Sequence, residues 1–280
     1  MTIGTALAQG VQILESSAIP VPRLTAEVLL SHALQRDRTY LYTHADDELS
    51  TIGWIHFGRY LSERLHNKPT QYITHRQEFY GRDFYVDQGV LIPRPETEHV
   101  VDAALCCLKQ HPVSAILDVG TGSGAIAITI ALECKQHVLA SDISYNALSI
   151  AERNRGTYGA EVSLFCGDLL NSIRPQSIDL LISNPPYVPA EDAANIQVEV
   201  RDWEPRLALF AGDQGLDVYR RLLSSATLAL RRGATIVLEL GYRSLHPVLQ
   251  MIVDEWSDVR VISDLAGIPR VMTARLTGRS

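Results

Sequence analysis

The spacing of hydrophobic residues divides the chain into a helical first part and a second part that alternates strands with helices. Residues 24–34 and 52–65 carry apolar side chains three and four positions apart, the spacing of a helix with one buried face. Pro20, Pro22 and the polar stretch 46–50 interrupt this periodicity. We therefore predict helices over residues 1 to about 66.

From residue 115 onward, short apolar runs alternate with helical periodicity. The predicted strands are 115–119, 138–142, 162–166, 178–183 and 234–240, and the predicted helices are 125–133, 145–154, 217–231 and 244–255. Gly233 is placed where a glycine would end a helix. Such alternation predicts an α/β fold, with a parallel sheet covered by helices on both faces.

The remaining segments predict smaller elements. Residues 68–94 are rich in aromatic and aliphatic side chains around Gly81 and Gly89, which predicts a strand pair or connector. Pro93 and Pro95 lead into a predicted helix over residues 96–108. Near the end of the chain, 259–263 and 271–276 predict a closing antiparallel pair.

Composition and charge narrow the class of protein. Of the 280 residues, 46% are hydrophobic and 20% are charged, which is typical of a globular protein and excludes disorder. The net charge of −7 disfavours a protein that binds nucleic acid through its phosphates. Four cysteines without a Cys-x-x-Cys pair suggest neither a metal site nor a disulfide framework. The chain has no basic amino-terminal start and no long apolar run, so we expect a cytoplasmic protein that is not bound to a membrane.

A glycine-rich loop follows the strand at 115–119 and precedes a helix. Gly120, Thr121, Gly122, Ser123 and Gly124 allow a tight turn and a close approach of a ligand to the backbone. The loop is not a Walker loop, because no Gly-Lys-Ser/Thr follows it. It also departs from the dinucleotide pattern G-x-G-x-x-G, because the third glycine comes one residue early.

Two acidic residues stand at the ends of the next two predicted strands. Asp142 follows the glycine loop by about 20 residues, where a carboxylate accepts both hydroxyl groups of a ribose. Asp168 is placed to contact an adenine amino group. The alternative for both residues is structural, because aspartate also caps helices and closes turns.

The tetrapeptide Asn184-Pro185-Pro186-Tyr187 ends the fourth predicted strand. Two prolines stiffen the turn and remove two backbone donors while their carbonyl groups stay available. The Asn184 side-chain oxygen and the Pro185 carbonyl therefore form a pair of acceptors that suits one NH2 group, and Tyr187 adds a flat apolar face. The alternative is a turn that merely ends a strand.

Together these features resemble the class I S-adenosylmethionine-dependent methyltransferases, whose amino-nitrogen branch carries Asn-Pro-Pro-Tyr. Further motifs closely resemble the HemK/PrmC family, which methylates the glutamine of the Gly-Gly-Gln motif in peptide chain release factors. His75 departs from that family, which commonly has glycine there. The matching motifs are Pro69-Thr70-Gln71-Tyr72-Ile73, Glu78-Phe79-Tyr80-Gly81, Leu91-Ile92-Pro93-Arg94-Pro95-Glu96-Thr97-Glu98, Glu204-Pro205, Ala208-Leu209, Gly215-Leu216-Asp217, Leu238-Glu239-x-Gly241 and Asp264-x-x-Gly267-x-x-Arg270.

The resemblance implies a Rossmann-like catalytic domain with a mostly parallel seven-stranded sheet and S-adenosylmethionine as cofactor, released as S-adenosylhomocysteine. It implies a helical substrate-recognition domain at 1–68, a connector with a β-hairpin at 69–94 and the methyltransferase domain at 95–280. We expect a monomer that acts on release factors, without a metal or stable nucleic acid binding.

The resemblance also implies roles for individual residues. Gly120, Thr121, Gly122, Ser123 and Gly124 would pass the methionine part of the cofactor. Asp142 would hold the ribose, Asp168 and Leu169 would border the adenine, and Asn184 would lie between cofactor and substrate. Asn184, Pro185, Pro186 and Tyr187 would bind and orient the target amide. Arg94, Glu96 and Thr97 would close the site, although Arg94 and Glu96 also suit ion pairs between domains.

Four alternatives stay open at this point. A sister enzyme that methylates a glutamine of a ribosomal protein shares the motifs. An adenine-N6 methyltransferase also presents an NH2 group to Asn-Pro-Pro-Tyr, but residues 1–86 carry 8 Lys and Arg against 9 Asp and Glu, which does not suit phosphate binding. A scaffold that only holds partners needs no amide clamp, and the displaced third glycine disfavours an NAD dehydrogenase.

Overall fold

The computed structural model describes residues 1–110 and 113–277. They form two compact units, of which the first joins Met1–Arg76 to Gln197–Trp203 and the second contains the other described residues. The predicted recognition domain, connector and methyltransferase domain, at 1–68, 69–94 and 95–280, stay predictions, because compactness does not test what each part recognises.

The first unit is helical, as its hydrophobic periodicity predicts. Its core is aliphatic and aromatic, with Leu29 and Phe57 fully buried. One helix contains a glycine, Gly10, at a position where a Cβ atom would lie 2.5 Å from the Phe57 ring, so a larger side chain would not fit there. Its helices are α1 (Ile3–Ser16), α2 (Pro22–Leu34), α3 (Arg38–Thr43), α4 (Thr51–Leu65), α5 (Thr70–Thr74) and, from the later segment, α9 (Val198–Trp203).

Polar contacts attach α9 to this unit. The Arg64 side chain is only 5% exposed, and its Nη2 lies 2.7 Å from a carboxylate oxygen of Glu199. The Trp203 indole N–H donates to the His66 carbonyl oxygen over 3.3 Å. A buried arginine needs a partner, so Glu199 compensates for the loss of hydration at Arg64.

The second unit is built on a seven-stranded sheet, which confirms the predicted α/β class. The strand order is β5-β4-β3-β6-β7-β9-β8, in which β9 pairs antiparallel with both of its neighbours and the other pairs are parallel. The strands are β3 (Ile116–Val119), β4 (Val138–Asp142), β5 (Val162–Cys166), β6 (Ile178–Ser183), β7 (Leu230–Glu239), β8 (Trp256–Ser263) and β9 (Pro269–Leu276).

Helices and a small hairpin complete this unit. Within the described helices, no segment is both long and apolar enough to cross a lipid bilayer. The elements are a β-hairpin of β1 (Gln77–Phe79) and β2 (Arg82–Phe84), a 3₁₀ turn (Pro95–Thr97), α6 (Glu98–Gln110), α7 (Ala125–Cys134), α8 (Tyr145–Tyr158), a second 3₁₀ turn (Ala190–Ala194), α10 (Arg206–Leu209), α11 (Asp217–Ala229) and α12 (Leu245–Met251).

The structure corrects the prediction that Gly233 ends a helix. Helix α11 ends at Ala229, and Leu230 is already extended as the first residue of β7. Gly233 instead lies within β7 at φ +81°, where the pairing with β6 shifts register. Glycine suits this bulge because other residues rarely take a positive φ. The predicted helix 244–255 is likewise shorter, because it ends at Met251.

His75 follows α5 with left-handed angles, φ +54° and ψ +34°. Only glycine adopts this conformation without a steric penalty. The backbone therefore favours glycine at position 75, although this chain has His75 where the family commonly has glycine.

Lys135, which follows α7, also has a left-handed φ of +54° and an exposed side chain. We expect Lys135→Gly to raise the free energy of unfolding by about 0.5–1 kcal/mol, because glycine relieves the strain at this position. Urea unfolding monitored by circular dichroism measures the change. A variant less stable than the parent would contradict a strained C-terminal cap.

Candidate active site

A cavity of about 240 Å³ opens at the carboxyl ends of β3, β4, β5 and β6. The chain runs from β3 outward to β5 on one side and from β6 to β7 on the other, so the strand order reverses between β3 and β6. Ligands of open α/β sheets bind at such a reversal. The predicted site residues that line it are Gly120, Thr121, Gly122, Ser123, Asp142, Asp168, Leu169, Asn184, Pro186, Arg94 and Thr97.

The glycine loop needs its glycines for two different reasons. Gly120 and Gly122 have φ values of +75° and +57°, and a Cβ atom on either would meet open space. Gly124 is the N-terminal cap residue of α7 at φ +82°, and a Cβ atom there would lie 2.8 Å from Ile128 Cδ1. The first two glycines therefore leave the cavity wall bare for a ligand, whereas Gly124, which does not line the cavity, allows the helix to pack closely.

Asn154 holds the glycine loop in place through side-chain hydrogen bonds. Its side chain is buried on α8, and its Nδ2 donates to the Ser123 carbonyl oxygen over 2.8 Å and to the Tyr85 carbonyl oxygen over 3.0 Å. Its Oδ1 accepts the Tyr85 N–H. One asparagine thus fixes the glycine loop to the segment that follows the hairpin. Nothing in the local sequence distinguishes Asn154 from other asparagines on a helix, so this role was not predicted.

Asp118 is a fully buried carboxyl group at the base of the glycine loop. One oxygen accepts the Thr121 hydroxyl over 2.7 Å, and the other has no hydrogen-bond partner among the described residues. The pKa of Asp118 is raised to about 7, mainly by burial and also by the nearby Asp142, although the Thr121 hydroxyl lowers it in part. The only sequence signal for this residue is an acid inside an otherwise apolar strand.

The raised pKa of Asp118 makes unfolding depend on pH. A folded-state pKa above the ordinary value favours the protonated form, so this stabilisation is complete at low pH and is lost as the pH rises toward 7. Relative to Asp118→Asn, we expect the wild-type free energy of unfolding to fall by about 3 kcal/mol between pH 5 and 8. Urea unfolding without cofactor at several pH values measures this difference. Parallel pH profiles of the two proteins would contradict it.

Asp142 holds the loop through both of its carboxylate oxygens. Oδ2 accepts the Gly122 N–H and Oδ1 accepts the Ser144 N–H, each over 2.9 Å. The cap of α8 is Ser144, whose hydroxyl oxygen accepts the Ala147 N–H. Burial raises the pKa of Asp142, and its three backbone N–H contacts lower it. Each carboxylate oxygen keeps a lone pair for a further donor, so ligand hydroxyl groups have acceptors here.

Asp168 follows the end of β5, the strand that pairs with β4, and forms an ion pair. Its Oδ2 lies 2.5 Å from Nη2 of Arg221, which also lines the cavity. Asn171 donates to the same oxygen over 3.3 Å, so Oδ1 is the oxygen that remains for a ligand. Leu169, which follows, has a left-handed φ of +51°. Strained backbone of this kind clusters at functional sites. Arg221 escaped the sequence analysis because it lies inside an ordinary amphipathic helix.

Asn184 and Pro186 face the cavity, whereas Pro185 and Tyr187 do not line it. The Asn184 Nδ2 donates to the Thr97 hydroxyl oxygen over 3.1 Å, which leaves its Oδ1 as an acceptor. The Tyr187 hydroxyl donates to the carboxyl of Glu239 over 3.4 Å.

Two glycines of the quoted motifs make room for the tyrosine. A Cβ atom on Gly241 would lie 2.6 Å from the Tyr187 ring, and one on Gly215 would lie 2.3 Å from the Tyr187 carbonyl oxygen. These contacts explain why both positions carry glycine. Tyr187 is therefore tightly packed at the end of the loop 184–187.

The motif around Arg94 connects several elements. Arg94 Nη2 lies 2.6 Å from the buried carboxylate of Glu204, so Arg94 pairs within the second unit. Glu96, which does not line the cavity, lies 3.7 Å from Nη2 of Arg270. Thr97 contacts Asn184 as described above. Arg94, Glu96 and Thr97 therefore contact three separate parts of the chain, namely the segment before α10, strand β9 and the loop after β6.

Family models match both parts of the chain. The PrmC N-terminal domain matches residues 5–74, and the methyltransferase small domain matches residues 100–200. A release factor glutamine methyltransferase of Koribacter versatilis is 42% identical over 277 residues, covering 98% of this chain and 99% of the relative. The enzyme of that name from Moorella thermoacetica is 39% identical over 279 residues and covers 98% of each chain.

Solved structures support the fold alone. The hMettl16 catalytic domain, solved in complex with MAT2A 3'UTR hairpin 6, aligns with a TM-score of 0.56 at 17% identity, over 79% of this chain and 84% of that one. A methyltransferase from Pyrococcus furiosus aligns with a TM-score of 0.52 at 18% identity, over 79% of this chain and all of that one. The sheet order agrees with a methyltransferase fold, and the matched domains agree with relatives that are 42% and 39% identical over nearly the whole chain. The chain belongs to the family of release factor glutamine methyltransferases.

Proposed function

We propose that this protein transfers a methyl group from S-adenosylmethionine to the side-chain nitrogen (N5) of the glutamine in the Gly-Gly-Gln motif of peptide chain release factors. The observation that carries the proposal is the Asn184 amide, because its Nδ2 is bound to Thr97 while its Oδ1 is left for a donor at the cavity. The family to which the chain belongs supports the choice of a release factor as substrate.

The cavity suits the proposed cofactor chemically. The bare backbone of Gly120 and Gly122 would pass the methionine part, and Asp142 would accept the ribose hydroxyl groups. Asp168 Oδ1 would accept the adenine amino group. A negative carboxylate near the ribose and a largely apolar wall elsewhere match a ligand with one sugar and one flat base. When bound, S-adenosylmethionine supplies a methyl group on a positively charged sulfur.

The residues of this chain act on the target amide by orientation. An amide nitrogen is a poor nucleophile because its lone pair is delocalised into the carbonyl group. Asn184 Oδ1 would accept one hydrogen of the NH2 group. The Pro185 carbonyl oxygen, although Pro185 does not line the cavity, would accept the other in this proposal, and the two contacts favour a pyramidal nitrogen. Fixing the reacting groups in line can remove about 7–11 kcal/mol of the barrier.

The same two acceptors stabilise the positive charge that develops on nitrogen, in the way that preorganised donors stabilise a developing anion. A protonated N-methyl amide is a strong acid, so its proton passes to water without a catalytic base. The helical first unit would recognise the protein substrate in this proposal.

A substrate panel tests the proposal. Purified protein and labelled S-adenosylmethionine are mixed separately with a release factor, a ribosomal-protein fraction, RNA and DNA. We expect label only in the release factor. Label in a ribosomal protein or in adenine would still show methylation of an NH2 group, but it would refute the release factor as the substrate.

A further inference from the structure

Arg221 lines the cavity beside Asp168, and the function proposed above gives it no role. It belongs to helix α11, which directs Leu222 into the core and presents Val218 and Arg221, one turn apart, to the cavity. The Arg221 side chain is 53% exposed where it pairs with Asp168. An ion pair this exposed contributes little to the stability of a fold. The contact therefore calls for an explanation other than stability.

Two donors occupy one oxygen of the Asp168 carboxylate. Nη2 of Arg221 donates to Oδ2 over 2.5 Å, and Nδ2 of Asn171 donates to the same oxygen over 3.3 Å. The Asp168 side chain is 37% exposed, and a carboxylate turns readily about its last bond unless a contact holds it. Because the shorter contact joins two charged groups, Arg221 provides the stronger restraint. It leaves Oδ1 pointing in one direction, able to accept a hydrogen bond.

We propose that Arg221 is a positioning residue that, by fixing Asp168, makes the cavity select a purine with a 6-amino group over a purine with a 6-oxo group. A fixed Oδ1 accepts a hydrogen of the 6-amino group. A 6-oxo group would bring an oxygen against Oδ1, so that two acceptors would oppose each other.

The restraint matters because a mobile carboxylate could adapt to the wrong base. A 6-oxo purine carries a hydrogen on N1, next to its oxygen, and a carboxylate that turned could accept this hydrogen. By holding Asp168, Arg221 denies the 6-oxo purine that hydrogen bond. Selectivity then comes from an unfavourable contact with the wrong ligand as well as from a favourable contact with the right one.

This inference rests on the proposed function for its ligand, because it takes the adenine of S-adenosylmethionine as the base beside Asp168. Apolar side chains suited to a flat base border the ion pair along the chain. Leu169 follows Asp168, Val218 lies one turn before Arg221, and both line the cavity. Selection between two bases can be measured by binding alone, without methyl transfer.

Isothermal titration calorimetry on the full chain compares S-adenosylhomocysteine with S-inosylhomocysteine, in which a 6-oxo group replaces the 6-amino group. We expect the wild type to prefer the adenine ligand about 10-fold to 150-fold, the effect of one charge-assisted hydrogen bond. In Arg221→Ala this preference should fall about 10-fold, because affinity for the adenine ligand weakens while affinity for the 6-oxo ligand rises. A merely structural defect would weaken the binding of both ligands alike.

Arg220→Ala is the matched control for this measurement. Arg220 is the neighbouring arginine of α11, with a side chain that is 58% exposed, and it pairs with Asp217 over 3.0 Å outside the cavity. We expect the wild-type preference from this variant. Arg221→Lys should keep most of the preference, because the contact with Asp168 uses the single nitrogen Nη2 and an ammonium group can replace it.

The outcomes separate this inference from the proposed function. An unchanged preference in Arg221→Ala, or equal weakening of both ligands, would overturn the positioning role, whichever substrate the protein methylates. A lost preference, in a protein that leaves the release factor unlabelled, would support the positioning role and refute the proposed substrate. Failure of the wild type to bind either ligand would refute the proposed cofactor and this inference together.

Discussion

Replacing Asn184 by alanine is expected to slow methyl transfer to the release factor about 100-fold to 1,000-fold, while cofactor affinity changes less than about threefold. The side chain provides the acceptor that orients the target NH2 group, and its Nδ2 is already bound to Thr97. Removing it leaves the NH2 group without one of its two proposed acceptors and the developing charge without part of its stabilisation. Single-turnover kinetics with saturating cofactor measure the effect.

Asn195→Ala is the matched control for this prediction. Asn195 lies in the same connection between β6 and α11, but its side chain is exposed and donates a hydrogen bond to Asp192 over 3.3 Å. We expect wild-type turnover from this variant. Wild-type turnover from Asn184→Ala would refute the amide clamp.

Asp142→Ala is expected to weaken cofactor binding about 10-fold to 150-fold for each ribose hydrogen bond that it removes. Each charge-assisted hydrogen bond lost to a ribose hydroxyl contributes about 1.5–3 kcal/mol. The substitution also frees the N–H groups of Gly122 and Ser144, which the carboxylate now holds. Isothermal titration calorimetry with S-adenosylhomocysteine measures the dissociation constant without turnover.

Asp142→Asn separates the two contributions, because an amide keeps one oxygen for the backbone but removes the charge. We expect an intermediate affinity from it. Asp213→Ala removes an exposed acid outside the cavity and should bind like the wild type. Unchanged affinity in Asp142→Ala would exclude the ribose contact.

Hydrophobic spacing predicted the elements whose packing is local. Strands β4, β5 and β6 begin and end where the apolar runs predicted, because each is a short run rich in apolar residues within the parallel part of the sheet. Gly233 was assigned wrongly because a glycine that ends a helix and one that forms a bulge look alike in sequence. Only the register between β6 and β7 distinguishes them.

Long-range partners explain what the sequence analysis missed. Arg221 meets Asp168 across 53 positions, and Glu239 meets Tyr187 across 52, so no local pattern connects them. Asp118 and Glu239 nevertheless carried a signal, because each is an acid inside an apolar strand. A charge in such a place is costly unless the site uses it, which makes this pattern worth following in other sequences.

The most direct test of the account is to locate the methyl group on a release factor after reaction. Fragment-ion mass spectrometry of the peptide that contains Gly-Gly-Gln distinguishes the side-chain amide nitrogen from every other position. We predict one methyl group on the glutamine N5 with the wild-type protein and almost none with Asn184→Ala. A methyl group on any other atom, or equal labelling by the two proteins, would contradict the account.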